Sequence, residues 1–364
     1  MKITTIVGAR PQFIKAAAVS RILRAEPNIT EILIHTGQHY DPNLSDIFFK
    51  ELEIPQPDYH LGIGSGNHGQ QTGRMLEAIE TVLITEKPDW VLVYGDTNST
   101  LAGALAAVKI HIPIAHVEAG LRSFNRQMPE EINRVLTDHS SDLLFAPTEA
   151  AVNNLKKEGI DTNKIHLVGD VMYDAALFYG EKSDRHRQLL QTLNLKPKSY
   201  LLATVHRAEN TDNVQRLEAI FTALNQIAQQ YSVVLPLHPR TRKLLQQNQL
   251  EKFTQNLTLL EPVGYLDMVQ LEKNARLIIT DSGGVQKEAY FYQVPCITLR
   301  EETEWIELVD LGWNYLISPD HSGAIAQGIK IGLEKSLPIN INERPYGDGQ
   351  SAFKIQKILS SKKP

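Results

Sequence analysis

The chain has 364 residues, of which 42% are hydrophobic and 22% are charged, and its formal net charge is -5 at pH 7. This length suggests two globular domains, and the charge gives no reason to expect a nucleic acid or an anionic membrane as a partner. The single cysteine, Cys296, excludes an internal disulfide and a cysteine-cluster metal site, which fits a cytoplasmic protein. Every apolar run is shorter than the ~20 residues of a membrane span, so we predict no membrane partner.

Short apolar runs alternate with helix-length amphipathic segments through the first half. The predicted strands are Ile3–Val7, Ile32–His35, Trp90–Tyr94, Ile114–Val117 and Leu143–Ala146. The predicted helices are Ile14–Arg24, Gln70–Thr85, Ser99–Ile110 and Pro129–His139. The strand runs are apolar throughout, which is typical of strands buried on both faces of a parallel sheet.

The second half repeats this alternation. Its predicted strands are Tyr200–Val205, Val233–Leu237, Leu257–Leu260, Leu277–Thr280, Cys296–Leu299 and Tyr315–Ile317. Its predicted helices lie near Val214–Gln230, Tyr265–Lys273, Val285–Tyr292 and Ala324–Lys335. The polar stretch Glu181–Lys198 separates the two series. We therefore predict two doubly wound α/β domains, over residues 1–180 and 181–345.

Polar residues follow strand after strand, at the carboxyl ends where ligands bind in open parallel sheets. The clusters are Gly8-Ala9-Arg10-Pro11 with Lys15, Gly95–Ser99, His116–Arg122, His206–Asn210, His238–Arg240, Asp281–Gly284, and Arg300 with Glu301, Glu302 and Glu304. One such cluster is often no more than helix capping. So many of them in two halves are better explained by a ligand site between two facing domains.

Two clusters suit phosphate groups. Ser282, Gly283 and Gly284 would expose N–H groups at the positive end of a helix, and Glu288, one turn on, could accept ribose hydroxyls. An ordinary turn with a serine cap is the alternative. Arg10 and Lys15 could offer a guanidinium and an ammonium group to a diphosphate, although either alone could be a surface charge.

The candidates for acid and base catalysis are Asp96, Glu118, Glu130 and His206. Carboxylates that share a site can take opposite protonation states, so that one is an acid while another is a base. The alternative for Glu130 is helix-start chemistry or a helical pair with Arg134, and for His206 it is an interior position.

Several chemistries lack their sequence signatures. The sequence has no G-x-G-x-x-G turn followed by an acidic residue, no P-loop and no nucleophile elbow. Its histidines show none of the familiar zinc spacings. We therefore expect neither a nicotinamide cofactor nor a metal.

Eight segments together resemble the non-hydrolysing UDP-N-acetylglucosamine 2-epimerases, in that family's order and over nearly the whole chain. They are Gly8–Lys15, Tyr94–Thr100, His116–Ser123, Met128–Arg134, His206–Asn210, Pro236–Thr241, Thr280–Ala289 and Tyr346–Ala352. The resemblance implies a GT-B type fold, in which two Rossmann-like domains enclose the active site in a cleft. It also implies a homodimer and a C-terminal helix, within residues 346–364, that returns to the first domain.

In that family UDP is eliminated to leave a 2-acetamidoglycal and then adds back, while C2 is deprotonated and reprotonated from the other face. Carried over by motif, the residues that handle the C2 proton and the leaving oxygen are Asp96, Glu118 and Glu130. Those that would hold the diphosphate are His206, Arg10, Lys15, Arg134 and His238. Those that would bind phosphate and ribose are Ser282, Gly283, Gly284 and Glu288.

Two stretches depart from the family pattern. The segment Gln38–Asp46 replaces a glutamine-containing motif of members that are activated by substrate, and Thr303–Glu307 lacks an arginine near the expected sugar pocket. The sequence is thereby closer to the branch that acts on UDP-2,3-diacetamido-2,3-dideoxyglucuronate for surface polysaccharide. UDP-N-acetylglucosamine stays open as the alternative substrate.

Three other functions are compatible with parts of the pattern. A GT-B glycosyltransferase would share the fold but would leave the three carboxylates without a role. A hydrolysing epimerase would differ only in the access of water to the glycal. A non-catalytic nucleotide-sugar sensor would be expected to have lost acid and base residues, yet all of them are present.

Overall fold

The computed structural model describes residues 1–38, 52–185, 188–334 and 343–362, except for the side chain of Arg10. The chain divides into two compact units, which we call unit 1 (Met1–Ala175 with Arg344–Pro364) and unit 2 (Ala176–Glu343). Among the described residues, no helix has both the length and the apolar character that a membrane span requires.

Each unit is built on one parallel sheet. The strands of unit 1 are Lys2–Val7 (β1), Thr30–His35 (β2), Tyr59–His60 (β3), Trp90–Tyr94 (β4), Ile114–Val117 (β5), Leu143–Ala146 (β6) and Ile165–Leu167 (β7). Those of unit 2 are Tyr200–Thr204 (β8), Ser232–Pro236 (β9), Thr258–Leu260 (β10), Leu277–Thr280 (β11), Cys296–Thr298 (β12) and Asn314–Leu316 (β13). Their orders are β3-β2-β1-β4-β5-β6-β7 and β10-β9-β8-β11-β12-β13.

Helices alternate with these strands along the chain. Their bounds are Arg10–Ala25 (α1), His68–Glu86 (α2), Asn98–Lys109 (α3), Pro129–Ser140 (α4), Glu149–Lys157 (α5), Val171–Ser183 (α6), Gln188–Thr192 (α7), Ala208–Thr211 (α8), Val214–Ile227 (α9), Pro239–Gln247 (α10), Tyr265–Asn274 (α11), Gly283–Phe291 (α12), Ile306–Asp310 (α13), Ser322–Glu334 (α14) and Ser351–Ser361 (α15). Short 3-10 turns cover Thr162–Lys164 and Glu251–Thr254. The alternation gives each unit the doubly wound Rossmann-like architecture that the sequence predicts.

All eleven strands predicted from the sequence are present, within a residue or two at their ends. The strands that the sequence did not reveal, β3 and β7, are the two edges of the unit 1 sheet and have only two and three residues. An edge strand this short buries little apolar surface, so it carries no long hydrophobic run.

The core of each unit lies between its sheet and the helices. In unit 1, Ile6, Val91 and Val93 of the central strands pack with Met75 and Ile79 of α2. The successive residues Val91, Leu92 and Val93 of β4 are each 0% exposed, so both faces of the sheet are buried, which explains why the strand sequences are apolar throughout.

The sheet order places a topological switch point in each unit. In unit 1, β1 lies between β2 and β4, so the strands that follow β1 are first added on one side of it and then on the other. In unit 2, β8 lies in the same way between β9 and β11. The loops after such strands diverge and leave a crevice at the carboxyl edge of the sheet. The polar clusters after β1, β4, β8 and β11 therefore lie where doubly wound folds bind ligands.

The chain passes from unit 1 to unit 2 inside α6, after Ala175, and it returns to unit 1 at Arg344. The predicted polar boundary, Glu181–Lys198, begins at the end of α6 and includes the short helix α7, whose Leu190 is 5% exposed. The C-terminal helix α15 belongs to unit 1 and packs on α1.

Candidate active site

Asp96 is the second residue after β4 and is held by an arginine from α4. Its Oδ2 accepts hydrogen bonds from Arg134 Nε (2.9 Å) and Nη2 (2.6 Å), while Arg134 Nη1 donates to Glu131 Oε2 (2.8 Å). The side chain of Asp96 is 31% exposed and that of Arg134 13%. Although burial lowers it, the pKa of Arg134 is raised overall by Asp96 and Glu131. Asp96 is therefore a fixed, solvent-accessible carboxylate with a permanent counter-charge.

Glu118 directly follows β5, the strand next to β4. Its Oε2 forms an ion pair with Nζ of Lys15, which projects from α1. The backbone of Glu118 is left-handed, with φ of 73°. Such a conformation is uncommon in residues with a Cβ and often occurs at functional sites.

Glu130 and Glu131 both lie in the first turn of α4 but in opposite environments. Glu130 is exposed. Glu131 is 3% exposed and accepts hydrogen bonds from the amides of Ser123 (2.9 Å) and Phe124 (2.9 Å). Although burial raises it, the pKa of Glu131 is lowered overall by its hydrogen bonds from Ser123, Arg134 and Phe124. Glu131 thus fixes a loop, while Glu130 is accessible to a ligand.

In unit 2, Asp281 joins the ends of β8 and β11. Its fully buried carboxylate accepts hydrogen bonds from the amides of His206 (3.1 Å) and Arg207 (3.0 Å) and from Asn210 Nδ2 (3.1 Å). His206 Nδ1 lies 3.4 Å from Asp281 Oδ1, and the His206 side chain is 45% exposed. Asp281 therefore orients a histidine that is accessible from solvent.

A second histidine lies beside the first. The ring centroids of His206 and His238 are 6.2 Å apart. Burial, the charge of His206 and that of Arg240 lower the pKa of His238. Because His238 Nδ1 accepts the amide of Arg240 at 3.2 Å, the ring proton of the neutral form is on Nε2, which can donate to an anionic ligand.

Helix α12 begins at Gly283, after the N-cap residue Ser282, whose side chain makes no capping hydrogen bond. Trp305 Nε1 donates to the Gly283 carbonyl (2.9 Å), and the Lys287 ammonium lies 4.1 Å from the centroid of the Trp305 ring. Glu304 forms a bidentate ion pair with Arg300, with N–O distances of 2.8 and 2.9 Å. A helix start that has no side-chain cap and opens with two glycines is a suitable site for a phosphate group.

Glu288 lies one turn further along α12 and is 8% exposed. Tyr265 donates to its Oε1 at 3.4 Å. Nearby on α11, Glu272 is fully buried, and burial together with the charge of Glu288 raises its pKa well above the usual value. Burial therefore favours the neutral form of the Glu272 carboxyl.

Comparison with known proteins identifies the family. The sequence model of the UDP-N-acetylglucosamine 2-epimerase family matches residues 21–360 of the chain. The chain is 57% identical to a UDP-N-acetylglucosamine 2-epimerase homologue of Methanococcus maripaludis, with 99% of each chain covered. This protein belongs to the UDP-N-acetylglucosamine 2-epimerase family.

Two further members of the family are informative. The UDP-2,3-diacetamido-2,3-dideoxy-D-glucuronate 2-epimerase of Pseudomonas aeruginosa is 52% identical over 99% of each chain. A solved structure with a similar fold is the crystal structure of the Methanocaldococcus jannaschii UDP-GlcNAc 2-epimerase in complex with UDP-GlcNAc and UDP. Its sequence is 48% identical to this chain, and the two structures superpose with a TM-score of 0.88 over 100% of each chain. These relatives confirm the predicted GT-B type of fold. The predicted position of the active site, between the two domains, stays a prediction.

Within this epimerase, the structure gathers the predicted residues into two groups. Asp96, Glu118, Lys15 and Arg134 lie together at the switch-point edge of unit 1. In unit 2, His206 lies beside His238. The helix start at Ser282–Gly284 and Glu288 both belong to α12 and its N-cap. Lys15 and Arg134, which were predicted to hold the diphosphate, contact the carboxylates of Glu118 and Asp96.

Two predictions fall on parts of the chain that are not described. The side chain of Arg10 is one, and the departure from the family motif at Gln38–Asp46 lies largely within residues 39–51. Sequence reasoning also assigned no role to Glu131 or to Asp281, which hold the loops of the two groups. The role of Asp281 carries no local signal, because its donors lie 71 to 75 positions away in the sequence.

Proposed function

We propose that this protein epimerises C2 of a UDP-linked N-acetylated sugar without net hydrolysis. The observation that carries the proposal is the pair Asp96 and Glu118, two carboxylates at the ends of adjacent strands, each bonded to its own cation. Family membership supports the reaction type.

The reaction requires a base for the C2 proton and an acid or cation near the oxygen that leaves C1. A carboxylate paired with a cation stays ionised and can accept a proton when the substrate displaces its partner. We assign proton transfer at C2 to Asp96, Glu118 and the exposed Glu130. Loss of UDP then leaves a 2-acetamidoglycal, and the reverse steps with reprotonation of the opposite face give the manno epimer.

We assign UDP to unit 2. The helix start at Ser282, Gly283 and Gly284 would accept a phosphate group, and Glu288 would accept ribose hydroxyls. His206 and His238 would donate to the diphosphate, and the lowered pKa of His238 suits donation from a neutral ring. Arg10, Lys15 and Arg134 would neutralise charge as the diphosphate departs.

For the sugar, we propose UDP-2,3-diacetamido-2,3-dideoxyglucuronate. The support is the 52% identical P. aeruginosa enzyme, together with Trp305 at the position where the family pattern has an arginine. We also propose, on the resemblance alone, that the enzyme is a cytoplasmic homodimer. Light scattering on the purified protein tests the dimer.

The decisive experiment is proton NMR of the protein in D2O with this sugar nucleotide and with UDP-N-acetylglucosamine in separate tubes. We expect deuterium at C2 and a new manno-type anomeric signal, appearing faster with the uronate. Deuterium exchange in neither tube would contradict the epimerase, and a faster reaction with UDP-N-acetylglucosamine would contradict only the choice of sugar.

Single substitutions test the assignments. Asp96→Asn, Glu118→Gln and Glu130→Gln should each lower kcat by about 100-fold or more while UDP still binds. Glu149→Gln is the matched control for Glu130, because Glu149 is also exposed in the first turn of a helix in unit 1. Full activity of Glu130→Gln would remove that residue from the mechanism.

Glu288→Ala should weaken the binding of UDP itself by about 10-fold, as expected for a lost charge-assisted hydrogen bond. Calorimetric titration with UDP measures this affinity. An unchanged dissociation constant would contradict the ribose assignment.

A further inference from the structure

His116, in β5, is a fully buried histidine beside the two carboxylates. It is 0% exposed, and it lies two residues before Glu118. Its Nδ1 is 2.7 Å from Asp138 Oδ1, on α4, and its Nε2 is 2.8 Å from the carbonyl oxygen of Gly95. Both nitrogens of the ring therefore face oxygen atoms.

The chemistry of these partners fixes both ring protons. A carbonyl oxygen only accepts hydrogen bonds, so Nε2 must carry a proton. The second oxygen of Asp138 accepts the amide of Gly120 (3.1 Å) and lies 2.8 Å from Arg122 Nη1, as expected of an ionised carboxylate. An ionised carboxylate is an acceptor as well, so Nδ1 also carries a proton and the ring is an imidazolium.

The charges around the ring balance within unit 1. Arg122 forms two hydrogen bonds of 2.7 Å with Glu158 in addition to its contact with Asp138. The cations His116 and Arg122 therefore face the anions Asp138 and Glu158, and Lys15 pairs with Glu118 close by. A buried charge is tolerated when it is paired and hydrogen-bonded in this way.

The cluster connects the two turns that carry the carboxylates. The amide of Gly95 donates to the Val117 carbonyl (3.0 Å) and its carbonyl accepts from His116, so β5 holds both backbone polar groups of Gly95. Gly95 has φ of 63°, and a Cβ there would lie 3.2 Å from Glu118 Oε2. Through Asp138, the same ring holds the amide of Gly120.

We propose that His116 is a positioning residue, kept as a buried imidazolium, whose two N–H groups fix the turns at Gly95 and Gly120 and so set the placement of Asp96 relative to Glu118. Its effect on turnover rests on the proposed function, whereas the protonation state of the ring does not. A neutral histidine could make only one of the two donations, so the arrangement depends on the charge.

The protonation state is measured on the unaltered protein. With nitrogen-15 in the ring nitrogens of all 12 histidines, long-range proton–nitrogen spectra distinguish a doubly protonated ring from a neutral one. We expect one histidine ring to carry both protons, and its signal to be absent from His116→Gln. Spectra in which no ring carries both protons would overturn the inference, whether or not any variant folds.

The positioning role is measured by kinetics. A glutamine side chain can donate to Gly95 but carries no charge, so we expect His116→Gln to lower kcat on the order of 100-fold, with KM and UDP affinity within about threefold of the parent. His139→Gln is the control: His139 is adjacent to Asp138 in sequence, but its ring is 47% exposed and lies 3.4 Å from Glu158.

The outcomes separate the two hypotheses. A folded His116→Gln with unchanged kcat and a lower melting temperature would show that the ring only stabilises the fold, and would overturn the positioning role. If the parent protein epimerises neither sugar nucleotide, the proposed function fails, while the nitrogen-15 spectra still decide the state of the ring.

Discussion

At the scale of single residues, the environment of a side chain decides its role more than its chemical type does. Glu130 and Glu131 are neighbours of the same kind, yet one is exposed and the other holds the loop at Ser123 and Phe124. Successive helix residues point about 100° apart. Two adjacent residues therefore differ in role: the side chain of Glu130 can reach a ligand, whereas that of Glu131 stabilises the fold.

His35 illustrates the same point for a histidine. It is 1% exposed at the end of β2, with its ring stacked on His60 at 4.6 Å, and its Nδ1 accepts the amide of Gly37 at 2.8 Å. Burial, and after it the charge of His60, lower the pKa of His35 from 6.5 to about 4. The folded state thus disfavours the protonated ring.

A pH-dependent loss of stability follows. Because the unfolded chain takes up the proton more readily, the free energy of unfolding should fall as the pH drops from 6.5 to about 4, by up to about 3 kcal/mol. His35→Asn keeps an acceptor for Gly37 and does not titrate, so its slope should be flatter. Urea unfolding at a series of pH values measures both slopes.

The control for this prediction is His111→Asn, because His111 is exposed and has φ of 61°, which asparagine tolerates. Its slope should equal that of the parent protein. Equal slopes for His35→Asn and the parent would show that His35 does not carry the pH dependence.

At the scale of elements, buried polar contacts fix how a helix lies on the sheet. Glu31 of β2 is 6% exposed and accepts hydrogen bonds from Thr5 of β1 (2.7 Å), Ser20 of α1 (2.7 Å) and Arg24 of α1 (2.8 Å). One carboxylate therefore joins the first three elements of unit 1. These elements carry Lys15, the partner of Glu118.

Removal of this charge should destabilise unit 1. In Glu31→Gln one oxygen becomes an amide nitrogen that cannot accept, so at least one of the three donors loses its acceptor, and the buried group loses its charge, at a cost of about 2 kcal/mol. Arg24→Ala should cost less than about 1 kcal/mol, because the arginine side chain is 36% exposed. Chemical denaturation compares the two variants, and an equal loss in both would contradict the central role of Glu31.

At the scale of the whole molecule, the chain enters unit 2 after Ala175 and returns to unit 1 at Arg344. The returning helix α15 starts on Asp174, whose carboxylate accepts the amides of Ser351 (3.1 Å) and Ala352 (2.8 Å). Burial outweighs these bonds and raises the pKa of Asp174. Asp174 therefore links the last helix of the chain to α6.

The attachment of α15 can be measured by hydrogen exchange. Asp174→Ala leaves two buried amides at the helix start without their acceptor, so the amides of Ser351–Ser361 should exchange about 10-fold faster or more. Asp348→Ala is the control, because Asp348 is 42% exposed and pairs with Lys354 near the same helix. Similar exchange in both variants would contradict the anchoring role of Asp174.

The sequence by itself determined the alternation of strands and helices, the parallel character of both sheets and the family. These features depend on local composition and on short motifs, which a single stretch of chain carries. The sequence did not show that Lys15 and Arg134, predicted for the diphosphate, contact the carboxylates of Glu118 and Asp96.

Only the tertiary structure decided the strand order, and with it which loops meet. Glu118 reaches Lys15 across 103 positions and His206 reaches Asp281 across 75 positions of the chain. Such pairs exist because β1, β4 and β5 are neighbours in that order, and because β8 lies beside β11. The buried His116–Asp138 pair is of the same kind, because hydrogen-bond partners distant in sequence are chosen by packing and not by local pattern.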